Sequence, residues 1–292
     1  MDIFLQVVIS GLTVGAMYAA GTIALSLLWS SMGMLNLANG AFIAIGGYAA
    51  YWCMTILHAS WIFALPVAAV AGLVTGYLFY HLVVRWMYQR ADFQINIIIA
   101  TVAVAALVEN GILNIAGPEA VRQPFQVVGG LPVGGVILPY QTLITIAVVL
   151  ALLIIILWIL TRTRLGLMIR AVSQQKEAAQ LMGINVSQAF GGAMMLAATI
   201  AAVSGVLVTA NTQLFPAVGF DATLKALVIC IIAGLGNIRA SIFMAIALGL
   251  FEMTVQYIFG QRYGFPAMLA LIILVLIIKP AGLFGKETVT RL

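Results

Sequence analysis

The run YQTLITIAVVLALLIIILWILT, residues 140–161, contains no charged residue, no proline and no glycine. A membrane-spanning helix needs roughly 20 predominantly apolar residues, and this run supplies them. The rest of the chain has the same character: 64% of its 292 residues are hydrophobic and only 7% are charged. Soluble domains carry about 25% charged residues, so this composition excludes a water-soluble globule. We therefore expect an all-α, polytopic membrane protein.

Further apolar runs lie on both sides of residues 140–161. The run 223–238 is short, and residues 33–41 are interrupted by glycine and asparagine. We therefore expect about 8–9 hydrophobic segments in a single transmembrane domain, residues 1–292, with one or two segments broken or re-entrant. The first run, residues 5–29, is too long for the apolar region of a signal peptide. The remaining runs on either side of 140–161 lie at 36–57, 61–83, 94–115, 187–210, 223–238, 241–259 and 265–279.

The basic residues predict the orientation. Nine of the 13 lie in 85–92, in 162–177 and in the tail from Lys279 onward. Even numbers of segments separate these regions, so all three share one side, which is the cytoplasmic side by the positive-inside rule. The N-terminus is then outside, and the tail at about 280–292 is cytoplasmic. Short basic loops explain the net charge of +5 without nucleic acid.

The loop at about 116–139 is expected on the outer side. It contains four of the eight prolines and two Gly-Gly pairs, with short β-branched runs between them. Such a pattern predicts a small hairpin.

The stretch SQQKEAAQLMGIN, residues 173–185, is polar and lies between two apolar runs on the cytoplasmic side. We expect a short helix here, with Ser173 as its N-cap and Gly183 ending it in a left-handed conformation. Ala178, Leu181 and Met182 form a narrow apolar stripe, and Ala179 adjoins it. Small side chains allow close approach, and bulky membrane anchors are missing, so the stripe predicts docking of a soluble partner.

Residues 33–45 and 234–246 form a weak internal sequence repeat, in which five identical residues recur at a constant offset. Transporter folds are often built from repeats of this kind. Chance similarity between apolar, glycine-rich segments explains the repeat equally well.

Several stretches together resemble a known family. EAAQLMG matches the EAA-x-x-x-G pattern with which permeases of ABC importers dock into their ATPase subunits. The context TRTRLGLMIRAVSQQKEAAQLMGINV, with NLANGAFIAIGGYAAY, IIAGLGNIRASIFMAIALGLFE and the closing KPAGLFGK, is similar to the permeases of the branched-chain amino acid importer family. The resemblance extends over nearly the whole chain.

The resemblance implies a bacterial inner-membrane permease that acts with other chains. These are a second permease subunit (alike or different), two ABC ATPase subunits and an extracytoplasmic solute-binding protein. The chain has no G-x-x-x-x-G-K-[ST] motif, so ATP and Mg are expected on the partner ATPases, with no cofactor, metal or catalytic residue in this chain. The resemblance assigns ATPase coupling to the 162–186 region, and within it to Arg170, Glu177, Ala178, Ala179, Leu181, Met182 and Gly183.

The expected solute is a small polar molecule, most readily a branched-chain amino acid. Urea, amides and small organic acids are the alternative, because this sequence departs from the family pattern. Asn39 and Ala41 stand where a His and a Glu are common, and Arg239 replaces a small residue.

Polar residues inside the apolar runs are candidates for the translocation pathway. Ionisable groups in spans rarely face lipid, so Glu109 and Glu252 either line the pathway or pair inside the bundle, for example with Asn110 or Gln256. Asn36, Asn39, Gly40 and Asn237 lie in the two glycine-rich breaks, where unwound backbone can meet a solute. Helix packing is the competing explanation for these four. Lys225 is expected to snorkel from the outer start of its run.

Two other kinds of protein remain to be distinguished. An ATPase-independent channel or carrier predicts buried charge pairs along the spans, and the sequence offers few. An intramembrane enzyme predicts clustered His, Asp, Glu or Cys residues, and the sequence shows none.

Overall fold

The computed structural model describes residues 2–88, 93–124, 127, 129–133 and 136–285. Arg90, Lys286 and Arg291, which the charge pattern assigned to the cytoplasmic side, lie outside the described residues. The described helices are α1 Asp2–Met32, α2 Asn39–Thr55, α3 Ala64–Phe79, α4 Arg85–Met87, α5 Phe93–Ala116, α6 Tyr140–Arg162, α7 Arg164–Gln174, α8 Lys176–Leu181, α9 Val186–Asn211, α10 Val218–Ala233, α11 Ile238–Phe259 and α12 Gly264–Ile278.

Seven helical stretches of the described chain are long and apolar enough to cross a membrane. One of them, Trp61–Met87, runs through a 3-10 turn, α3, a π-helical turn and α4 without a break. Two further apolar helices are shorter: α2 has 17 residues and α10 has 16. These are the two runs for which the sequence predicted interruption, so the expected count of about 8–9 segments with broken members is confirmed.

The outer helices expose apolar side chains that belong in the hydrocarbon of a bilayer. They lie on α5, α6 and α12 and include Ile95, Ile99, Leu107, Ile154, Trp158, Ile273 and Ile277. Monomeric soluble proteins rarely expose so wide an apolar surface to water.

The centre of the bundle is α9, which packs against α1, α2 and α3. Small residues make this close packing possible, since lipid offers no hydrophobic driving force and helices must approach until their backbones touch. A Cβ added at Gly46 of α2 would meet the backbone of Ala202 in α9, and one at Gly72 of α3 would meet the backbone of Ala198. Gly15 of α1 and Gly249 of α11 form a similar contact.

The two ends of the bundle differ in charge. The end that carries α7 and α8 is called the basic end. The helices α1, α4, α6 and α12 also finish there, and α11 begins there. Its basic residues are Arg85, Arg162, Arg164, Arg170, Lys176, Arg239 and Lys279. The opposite end is called the hairpin end. There β1 (Gly130–Val133) pairs antiparallel with β2 (Val136–Pro139), which confirms the predicted hairpin, and Val121 bridges to Leu214.

The polar segment 173–185 folds differently at its start from the expectation. Ser173 is not an N-cap: it lies inside α7, and its hydroxyl donates to the Arg170 carbonyl. The helix α8 begins after Gln175, whose extended backbone interrupts the chain between α7 and α8. Gly183 does end α8 in the left-handed region, with φ +78°, as its sequence position predicted. The region is therefore two helices at an angle, and α7 was not anticipated as a separate element.

Candidate functional site

The two short helices begin against each other inside the bundle. Gly40 in the first turn of α2 and Gly219 in the first turn of α10 are in backbone contact, and a Cβ on either would meet the backbone of the other. Both glycines are buried. Because the backbones touch, no space remains between these two helix starts for a solute. At Gly40 the structure therefore shows close helix packing.

The asparagines of the 33–41 break are buried as well. Asn36 is 0% exposed and Asn39 is 1% exposed. Asn36 Oδ1 accepts from the Ala38 N–H at 3.0 Å, which stabilises the turn before α2. The amide nitrogens of both side chains lack a hydrogen-bond partner among the described residues. Their place in the translocation pathway stays a prediction.

A cavity among the described residues lies elsewhere, along one face of α10 and toward the hairpin end. It has a volume of about 540 Å³ and is bounded by α1, α2, α9, α10, α11 and the start of α12. Its polar lining comprises Tyr18, Ser204, Thr212, Asp221, Lys225, Glu252, Gln256 and Gln261. Small-molecule sites occupy about 300–1,000 Å³, so a small solute fits.

An ion pair forms one wall of this cavity. The Lys225 ammonium lies 3.0 Å from Glu252 Oε1, and the Lys225 and Glu252 side chains are 25% and 3% exposed. The Tyr18 hydroxyl donates to Glu252 Oε2 at 2.6 Å and accepts from Lys225 at 2.6 Å. Gln256 Nε2 donates to Glu252 Oε1 at 3.1 Å. Three helices, α1, α10 and α11, are thereby linked through one polar network.

This network decides several sequence predictions. Glu252 is paired inside the bundle and also lines a cavity, while its place in the translocation pathway stays a prediction. Gln256 is its partner, as one alternative held, whereas Asn110 is exposed and donates to the Ala106 carbonyl. The prediction that Lys225 snorkels outward is wrong: the structure turns its ammonium into the bundle, where Glu252 and Tyr18 bind it.

The remaining candidate residues are not on this cavity. Glu109 and Gly40 line a separate pocket of about 30 Å³, which has no room for an amino acid. Asn237 is exposed at the basic end, where its Oδ1 accepts from the Ala240 N–H at 3.2 Å and caps α11. Neither glycine-rich break contributes to the lining of the large cavity.

The coupling candidates lie together at the basic end. Leu181 and Met182 project into solvent, with 89% and 82% of their surface exposed, and Arg170 and Glu177 are exposed too. Ala179 is the exception: it is 5% exposed and packs into the bundle's own core. The prediction that Ala179 offers a partner close approach is therefore corrected, because its small side chain seats α8 on the bundle.

The sequence analysis missed Tyr18, Ser204 and Asp221 as cavity residues. One signal was available: Lys225 and Glu252 are opposite charges in two apolar runs, and such groups rarely lie in a membrane without a partner. Nothing in the sequence indicated that Tyr18 or Ser204 would reach the same space. Among the described residues, no cluster of three His, Cys, Asp or Glu side chains could hold a metal ion.

A long-helix bundle with two interrupted segments, a polar cavity near one end and an exposed amphipathic segment at the other defines a polytopic membrane permease. The family described as branched-chain amino acid transport system / permease component matches residues 7–279, and the chain belongs to it.

Curated relatives match over nearly their full length. The chain is 26% identical to the high-affinity branched-chain amino acid transport system permease protein BraD of Pseudomonas aeruginosa, covering 99% of this chain and 98% of the relative. It is 26% identical to the LivH permease protein of the corresponding system in Escherichia coli, with 99% and 97% covered. The probable branched-chain amino acid permease LivH of Methanocaldococcus jannaschii is 25% identical, with 90% and 87% covered.

A solved structure shares the fold. PsaBC from Streptococcus pneumoniae in complex with Fab superposes with a TM-score of 0.54, covering 95% of this chain and 92% of that one. Sequence identity is 14%, so the likeness concerns the fold alone.

Proposed function

We propose that this chain is the permease subunit of an ATP-driven ABC importer that moves branched-chain amino acids inward. The family description and the names of BraD and LivH support the solute class. A second permease subunit, two ATPase subunits and a solute-binding protein complete the assembly. The chain itself hydrolyses nothing; ATP and Mg belong to the ATPases.

The exposed α7–α8 segment is the observation that carries the proposal. Leu181 and Met182 are bulky apolar side chains exposed at a charged end of the protein. Apolar groups that project from a polar surface mark sites of protein contact. The segment is also anchored, because Ala179 packs into the core and Val172 and Ile169 of α7 are buried. Force applied at Leu181 and Met182 is therefore transmitted to α6 and α9, which α7 contacts.

The charge distribution supports the orientation. The basic end holds seven described Lys and Arg residues, and the positive-inside rule places it in the cytoplasm. The N-terminus then lies outside, the C-terminus inside, and the cavity toward the outer side. In that orientation a solute released by a binding protein meets the cavity first, while the ATPases meet α8. A bacterial inner membrane is the matching location.

Retention of the ATPase on the permease tests the proposal. We expect Leu181→Asp with Met182→Asp to weaken the retention of the ATPase by the purified permease at least tenfold, because two apolar contacts become charged. Leu131→Asp, an exposed leucine at the hairpin end, is the matched control and should retain the ATPase fully. Uptake of leucine into liposomes should require ATP, the ATPase and the binding protein together. Normal retention by the double variant would overturn the coupling role.

A second candidate, an ATPase-independent carrier, is favoured by one observation, the buried Lys225–Glu252 pair. Such a carrier moves its solute along an ion gradient with the permease alone. Liposomes that contain only this chain and an imposed proton or sodium gradient distinguish the two. Uptake there without ATP would support the carrier and contradict the importer.

A further inference from the structure

The polar groups on the cavity wall divide into bonded and free ones. Glu252 is fully bonded: Lys225, Tyr18 and Gln256 all donate to its carboxylate. Both of its carboxylate oxygens already accept hydrogen bonds, so we assign it no direct contact with an occupant of the cavity. Its role is to hold Lys225 in place.

Lys225 retains binding capacity. An ammonium group has three N–H donors, and Lys225 uses two, on Tyr18 Oη and Glu252 Oε1. The third is left for an occupant of the cavity that the side chain lines. Stability alone does not explain the pair, since replacing a buried ion pair by apolar residues is often neutral or stabilising.

Ser204 of α9 has an unused hydroxyl. Serine and threonine in membrane helices commonly donate to the carbonyl one turn earlier. Thr199 and Thr209 of the same helix do so, with Oγ1 2.8 Å from the Met195 carbonyl and 2.7 Å from the Gly205 carbonyl. Ser204 is 0% exposed, and its Oγ has no hydrogen-bond partner among the described residues although it lines the cavity.

Asp221 supplies a free negative charge. It lies four residues before Lys225, so both side chains stand on one face of α10, about 6 Å apart along the axis. Opposite charges at this spacing often pair, yet no ion pair joins Asp221 to Lys225, and Asp221 has no hydrogen bond within the described residues. A gap between a free carboxylate and a partly free ammonium therefore opens on the cavity.

Thr212 and Gln261 are the other polar lining residues, and the remaining wall is apolar. Aliphatic, sulfur-containing and aromatic side chains surround the polar groups, namely Val14, Met17, Ile43, Val208, Phe215, Val218, Met253 and Phe265. Lys225, Asp221 and Ser204 thus offer one cationic donor, one anionic acceptor and a hydroxyl beside an apolar surface.

We propose that this cavity is a solute-recognition site inside the permease, where Lys225 and Ser204 bind the carboxylate of an aliphatic α-amino acid and Asp221 binds its ammonium group. The proposal rests on the proposed function and assigns recognition to the permease in addition to the binding protein. Glu252 and Tyr18 are positioning residues, since they act through Lys225.

Ligand binding by the assembled permease–ATPase complex in nanodiscs, without the binding protein, tests this. Saturation-transfer NMR should compare leucine with 4-methylpentanoate, which lacks the ammonium group, and with 3-methylbutylamine, which lacks the carboxylate. We expect leucine to bind about tenfold or more tightly than either, because each analogue loses a charge-assisted hydrogen bond. Asp221→Asn should abolish the preference for leucine over 4-methylpentanoate. Ser204→Ala should weaken leucine and 4-methylpentanoate but leave 3-methylbutylamine unchanged.

Neither the Asp221 side chain nor the Ser204 hydroxyl makes a hydrogen bond or ion pair among the described residues, so both variants should fold. Glu119→Gln removes an exposed carboxylate at the same end but outside the cavity, and it should leave all three affinities unchanged. Equal binding of the three ligands by the unmodified complex, or an unchanged leucine preference in Asp221→Asn, would overturn the inference. If the unmodified permease, with its ATPase and binding protein, showed no ATP-dependent uptake of leucine, the proposed function would be overturned instead.

Filling the cavity is an independent check. A Cβ added at Gly21 would lie 3.6 Å from Ser204 Oγ and 3.7 Å from Ala226 Cβ, which are ordinary contacts. Gly21→Ala should therefore bind leucine normally. Gly21→Leu adds three further carbons beside Ser204 and should reduce leucine binding at least tenfold. Normal binding by Gly21→Leu would place the solute elsewhere.

Discussion

The two short helices start in contact but differ in what their polar side chains face. At the start of α2, the amides of Asn36 and Asn39 are buried and partly unbonded, and the surrounding backbone is closely packed. Along α10, Asp221 and Lys225 face a cavity of about 540 Å³. The comparison teaches that the backbone is closely packed at Gly40, in the break before α2, whereas Asp221 and Lys225 of α10 border an open space.

The largest expected effect concerns the network on α10. Lys225→Met leaves the Glu252 carboxylate buried without its cation, which should lower the free energy of unfolding by about 3–5 kcal/mol. Combining it with Glu252→Gln removes the unpaired charge and should restore much of that loss. Thermal unfolding of both single variants and the double variant in detergent measures the coupling. A double variant as unstable as the sum of the singles would show that the pair does not act as a unit.

An intermediate effect is expected where the two helices touch. Gly219→Val places side-chain atoms against the Gly40 backbone, which cannot move without displacing α2. Overpacking of this kind should cost about 1–3 kcal/mol of unfolding free energy. Gly111→Val in α5 is the matched control, because nothing lies within 4 Å of its Cβ position. Thermal unfolding compares the two; equal stability of both variants would contradict the close contact.

The smallest effect is expected at the start of α2. The Asn39 amide nitrogen has no hydrogen-bond partner among the described residues, so Asn39→Ala breaks no hydrogen bond donated by that nitrogen. We expect a change in unfolding free energy below about 1 kcal/mol and leucine uptake within twofold of the unmodified protein. Uptake in liposomes, normalised to inserted protein, is the measurement. A tenfold fall in leucine uptake at normal stability would show that the 33–41 break belongs to the translocation pathway. It would also contradict the difference drawn here between α2 and α10.

Much of the fold was predictable because membrane insertion imposes strong composition rules. The apolar runs, the two interrupted segments and the hairpin follow from length, glycine content and proline content, which act locally. The left-handed end at Gly183 was predictable for the same reason. The N-cap was not: Ser173 has suitable chemistry, but the chain breaks at Gln175, where α7 turns away to pack Ile169 and Val172.

The candidate site was predictable only in part. Glu252 was identified because a carboxylate in an apolar run demands a partner, and Gln256 one turn away was a local candidate. Lys225 was misplaced because its partner lies 27 residues further along the chain, and Tyr18 lies 207 residues before Lys225. Contacts over such separations depend on helix packing, which no local pattern reports.

By itself, the amino-acid sequence determined that this chain spans a membrane, where its spans lie and which of its surfaces is basic, since these follow from transfer energies of individual residues. Only the tertiary structure decided which polar residues share a space. Ser204 resembles Thr199 and Thr209 in sequence, yet it alone of the three leaves its hydroxyl unbonded at a cavity. Ser204 lines a cavity that α1, α9, α10 and α11 border together, and the position of a gap between helices is a property of their packing as a set.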